Sequence, residues 1–178
     1  MSARQVGGWI AVVVLAYLTW SVARAPLTGN TDSLLHLPNL VFHEAGHILF
    51  MPFGRFMTVL GGSLTQVLIP IICAVAFARQ QQDWLGAAVC TWWAGQNLVD
   101  LAPYIADARM LRLVLLGGRT GAEVEGHDWE YLLTAMGLLH RDVALGRAAW
   151  ALGTIVMVAA VVWTVSLAAR TVPDGGEA

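Results

Sequence analysis

Apolar residues run without a charge from Val6 to Ala23, between Arg4 and Arg24. The run is longer than the roughly 7–15 residues of a signal-peptide core, and Pro26 would directly follow the small-x-small site Ala23-Arg24-Ala25. It therefore predicts a retained first transmembrane helix over 6–23. Pro26, Gly29, Asn30 and Asp32 make the stretch from Arg24 to Ser33 a loop. A second span, 34–53, is interrupted by His36, Pro38, Asn39, His43, Glu44 and His47, with Pro38 either kinking the helix or lying in its first turn. Pro52, Gly54, Arg55, Gly61 and Gly62 read as a turn-rich connection to a third span, 60–78, whose one strongly polar member is Gln66. The fourth, 84–106, carries Gln96, Asn97 and Asp100. At 100° per residue, Asn97, Asp100, Tyr104 and Asp107 share a sector of roughly 80°.

Residues 107–147 form the longest polar connection. Within it Trp129, Leu132, Leu133, Met136, His140 and Val143 recur at helical spacing, predicting an amphipathic helix on the membrane surface with Asp128 as its N-cap. An uncharged fifth span, 148–169, precedes a short polar tail from Thr171. The expected fold is thus all-α: one polytopic membrane domain over 1–178, with about five transmembrane helices and one interfacial helix.

Composition agrees with a membrane solvent. The chain is 57% hydrophobic and 12% charged, with mean hydropathy +0.64, eight Trp, and Arg as its only long-chain cation. A net charge of −2 argues against nucleic acid, which needs a basic face. Cys73 and Cys90 each lie in an apolar span and read as small core residues. With five spans, Arg4, Arg55, Arg109, Arg112, Arg119, Arg141 and Arg147 share one side, against Arg24, Arg79 and Arg170 on the other. That bias places the N-terminus in the cytoplasm, as in a bacterial inner-membrane protein.

The chemistry concentrates in His43-Glu44-Ala45-Gly46-His47, an H-E-x-x-H pattern. Helical residues four apart stand on one face, so His43 and His47 can offer two imidazole nitrogens to one Zn2+, with Glu44 as general base. Ionisable groups at membrane depth are costly and are functional candidates for that reason. His47 falls about five residues, or roughly 8 Å, from the cytoplasmic end of its span.

Catalytic zinc takes three protein ligands and keeps one position open. Asp100, Asp107 and His127 are the candidates for the third. Asp100 lies at the depth of Gly46 and His47, in the most apolar surroundings, and is the preferred choice. Asp107 lies about two turns further out, and His127 would have to fold back from the cytoplasmic loop. Asn97 and Gln66 are candidates to hydrogen-bond an oxyanion or an unwound substrate strand.

An H-E-x-x-H motif inside a span, followed two spans later by an acidic residue, resembles the site-2 protease family of intramembrane zinc metalloproteases over roughly residues 34–110. Asn97, Pro103 and Asp107 loosely echo that family's Asn-x-x-Pro…Asp-Gly context, although Ala108 follows Asp107. The resemblance implies His43 and His47 as zinc ligands, Glu44 as base, and substrates that span the membrane. The expected function is an integral-membrane zinc hydrolase, foremost a peptidase, in contact with lipid and a membrane-embedded peptide or protein substrate. The same motif also fits a hydrolase of lipids or small amides and esters. A non-catalytic metal-binding membrane module would instead close the site with a fourth ligand.

Overall fold

The computed structural model describes residues 3–24, 35–124 and 126–170; the expected loop after Arg24 and the tail from Thr171 lie outside the described residues. Among the described residues the architecture is helical, with a single isolated bridge between Val114 and Thr120. Six α-helices follow in order: α1 (Ala3–Arg24), α2 (His36–Phe50), α3 (Arg55–Ala76), α4 (Trp84–Ala106), α5 (Asp128–Ala135) and α6 (Asp142–Ala168).

Local sequence explains most of the boundaries. Pro38 falls in the first turn of α2, where its missing N–H costs no intrahelical bond. A 3-10 turn at Met51–Phe53 ends at Gly54, whose φ of 86° permits the reversal into α3. α3 begins at Arg55, so Gly61 and Gly62 are buried helical residues and not the expected turn. Their role is close approach: a Cβ at Gly46 or Gly61 would collide with the facing helix, so this pair lets α2 and α3 touch. α3 ends in a π-turn over Phe77–Gln81, and the Asp83 carboxylate then caps α4 by accepting from the Gly86 N–H at 3.0 Å. α4 continues through Pro103 without unwinding.

α4 and α6 form the best-packed pair, meeting where Gly95 faces Gly153. Leu15, Trp92, Val99, Met157 and Ala160 make the core between α1, α4 and α6. Two indole N–H groups attach α1: Trp92 donates to Thr19 Oγ1 and Trp150 to the Ala23 carbonyl, both at 2.7 Å. Large side chains such as Val13, Ile72 and Ile155 are more than half exposed. Such an outer surface suits lipid and not water.

Among the described residues, three stretches are long and apolar enough to cross a membrane: Gln5–Arg24, Arg55–Gln81 and Leu139–Ala168. α2, at 15 residues, and α4, which carries Gln96, Asn97 and Asp100, are not among them. The expected surface helix is also revised. Gly137, at φ 69°, breaks it after α5, and a 3-10 turn at Leu139–Arg141 leads into α6. Leu132 and Leu133 are fully buried, so one face of α5 packs into the protein.

Candidate metal centre

His43 and His47 project from successive turns of α2, their ring centroids 4.9 Å apart. The Nδ1 of His47 lies 2.9 Å from the Thr58 carbonyl oxygen. That oxygen can only accept, so Nδ1 carries the proton and Nε2 is left with its lone pair. The Nδ1 of His43 lies 3.0 Å from Gln66 Oε1, which fixes the same tautomer. Both Nε2 atoms therefore converge on the same point, where each can offer an electron pair once a metal displaces its proton.

The third group at that point is Asp128. Its Oδ2 lies 2.8 Å from His43 Nε2 and 3.3 Å from His47 Nε2. One ligand atom from each of the three residues falls within 4.8 Å of the others. Asp128 is the first residue of α5, and its expected capping role belongs to His127, whose Nδ1 accepts from the Glu130 N–H at 3.2 Å. Several contacts hold α5 over α2. The Asp128 N–H donates to the Tyr104 hydroxyl at 3.0 Å, Trp129 Nε1 donates to Ser63 Oγ at 3.2 Å, and the Arg55 guanidinium sits 4.5 Å above the Tyr131 ring. Burial pushes the Asp128 carboxyl up, but hydrogen bonds donated by the two imidazoles, which carry the proton on Nε2 when no metal is bound, more than offset this and hold it below the usual carboxylate range.

These residues fit a metal ion. Lone pairs on two imidazoles and a carboxylate converge, an arrangement stable only with a cation between them, whether metal or proton. The donor set is one that suits tetrahedral zinc. Gly62 lets the rings lie this close to α3: a Cβ there would stand 2.6–2.7 Å from His47 Cε1 and from the Nε2 atoms of both rings. Glu44 is exposed on the adjoining face of α2, with its charge in reach of His47 and Tyr104.

The remaining expected site residues are placed elsewhere. Asp100, the preferred third ligand, accepts from Asn39 Nδ2 at 3.2 Å and Gln66 Nε2 at 3.1 Å, with His36 Nδ1 at 3.1 Å. Hydrogen bonds thus offset the cost of burying this carboxylate. Asp107 takes the backbone N–H groups of Arg112 and Leu113 at 3.1 and 2.8 Å and so organises the loop after α4. His127 is buried with Nε2 3.8 Å from Asp107 Oδ2, and burial holds its imidazole below the usual pKa. Asn97 donates to the Trp93 carbonyl of its own helix, and Gln66 has both ends of its amide engaged. Neither is presented to a substrate as an oxyanion donor.

Sequence reasoning missed Asp128, Tyr104 and Gly62 as parts of this centre. The available signal for Asp128 was the His127-Asp128 pair at the start of a helical pattern, which the N-cap reading absorbed. No protein-family model matches this chain, and neither a curated protein nor a solved structure matches it.

Proposed function

We propose that the chain is an integral-membrane zinc hydrolase, foremost a peptidase, with His43, His47 and Asp128 as metal ligands and Glu44 as general base. The observation that carries this is the meeting of His43 Nε2, His47 Nε2 and Asp128 Oδ2 beside Glu44, with both Nδ1 atoms already committed. A bound zinc ion supplies Lewis acidity, which polarises a carbonyl and makes water nucleophilic near neutral pH. Glu44 takes the proton of the attacking water and returns it to the leaving amine. Thr58 and Gln66 hold the two imidazoles, while Tyr104 holds the Asp128 backbone.

Glu44 shares its exposed face of α2 with Leu37, Val41 and Ile48, each at least 66% exposed. A carboxylate set in an apolar stripe suits a substrate that arrives through lipid, as the resemblance to site-2 proteases implies. In this reading α2 and α4 also lie at membrane depth, giving five spans. Asn39, His43, Gln66, Gln96 and Asn97 are enclosed between helices, as polar groups in a bilayer require. The arginine bias puts the N-terminus in the cytoplasm of a bacterial inner membrane. The test is Glu44→Gln: membrane-peptide hydrolysis by the purified chain is abolished while zinc content stays at the wild-type level. Full hydrolysis by that variant sinks the reading.

A further inference from the structure

The hydrogen bonds that lead from Trp93 to His43 are oriented from an end that has no choice. The Trp93 indole can only donate, and it donates to Asn39 Oδ1 at 2.9 Å. The Asn39 amide nitrogen is thereby turned outward, donating to Gln96 Oε1 at 2.8 Å and Asp100 Oδ2 at 3.2 Å. The Asp100 carboxylate accepts, so the nitrogen of the Gln66 amide faces it at 3.1 Å. Gln66 Oε1 must then face His43, and it accepts from Nδ1–H at 3.0 Å. Asn39, Gln66 and Gln96 are at most 3% exposed, so no bulk water competes for these bonds.

We infer that Asp100 and Gln66 are positioning residues for the metal centre: Asp100 sets the Gln66 amide, and Gln66 sets the tautomer and ring plane in which His43 offers Nε2. This rests on the metal-centre reading above. The two histidines differ in this respect, because His47 is held by a backbone carbonyl that no side-chain change removes, while His43 depends on side chains of the next two helices. Without the carboxylate at 100, the Gln66 amide is free to turn. Its nitrogen would then face Nδ1 and favour the tautomer with the proton on Nε2, which is no ligand. Partners of this kind fix ligand tautomers, and their removal costs about 10–100-fold in metal affinity.

The test measures zinc affinity by chelator competition on the purified full chain in detergent, for wild type, Gln66→Leu, Gln66→Glu, and Gln66→Glu combined with Asp100→Asn. Gln66→Leu weakens zinc binding about 10–100-fold by removing the acceptor for Nδ1–H. Gln66→Glu keeps that acceptor but sets two carboxylates against each other, and it also loses affinity. The double variant recovers part of that second loss, because the amide at 100 now donates to the carboxylate at 66, while Asn39 keeps only its bond to Gln96. Thermal midpoints measured on the same metal-free variants separate the roles: a merely structural role moves midpoint and zinc affinity together, whereas positioning of His43 lowers affinity in Gln66→Leu without a matching fall in the midpoint. Wild-type affinity in Gln66→Leu, or a double variant no better than Gln66→Glu, overturns the inference. If Gln66→Leu does not fold, the comparison of single and double Glu variants decides. A wild-type chain that takes up no zinc instead removes the metal-centre reading, and the inference falls with it.

Discussion

Gly62→Ala is the smallest change that should empty the centre. The added Cβ would stand 2.6–2.7 Å from His47 Cε1 and from the Nε2 atoms of both rings, about 0.7–0.8 Å inside the 3.4 Å at which ordinary contact begins. Metal–ligand distances tolerate about 0.2 Å, so relieving the clash takes at least one imidazole out of reach of the ion. The fold is less sensitive. Overpacking by one methyl costs about 1–3 kcal/mol, and replacing a helical glycine by alanine returns about 1 kcal/mol. The net cost of about 0–2 kcal/mol leaves a folded chain. Zinc affinity by chelator competition should fall by more than about 100-fold, beyond the loss typical of outer hydrogen-bond partners. Helical circular dichroism and the size-exclusion profile in detergent should not change. Gly7→Ala is the control, since a Cβ there meets nothing within 4 Å. An unchanged zinc affinity in Gly62→Ala refutes the placement of the ion between these rings.

Other outcomes follow from the same geometry. Tyr104→Phe removes the acceptor of the Asp128 N–H; the unpaired amide costs about 1–3 kcal/mol, read as a lower thermal midpoint together with weaker zinc binding. Asp142 is buried and takes Arg109 Nη2 at 2.7 Å and Nε at 2.8 Å. Asp142→Ala should therefore lower stability by about 1.5–3 kcal/mol in a thermal melt, with zinc affinity retained because the pair lies outside the centre. For topology, a reporter fused after Arg119 should be cytoplasmic and one at the C-terminus external; the reverse pattern contradicts the proposed orientation.

The helical pattern was largely legible in the sequence, because apolar runs broken by Gly, Pro and Asp set the ends of α1, α4 and α6 to within a few residues, apart from the start of α6. The start of α3 was misread because Gly61-Gly62 signals a turn locally, whereas here it serves close helix contact that only the partner helix reveals. α2 was legible as the carrier of two imidazoles four residues apart. The third group was not. A depth argument favoured Asp100, since a buried carboxylate needs compensation, but compensation came from Asn39, Gln66 and His36. Asp128 reaches the site across 85 residues of chain from His43. That path depends on the loop organised by Asp107 and on α5 docking through Trp129 and Tyr131, contacts with no local periodicity to announce them.

The most direct measurement is the zinc content of purified wild type, Asp128→Ala and Asp100→Ala at saturating metal. One zinc per chain is predicted for wild type and for Asp100→Ala, the latter with lowered affinity, and none for Asp128→Ala. One zinc retained by Asp128→Ala and lost by Asp100→Ala would contradict the centre built from His43, His47 and Asp128.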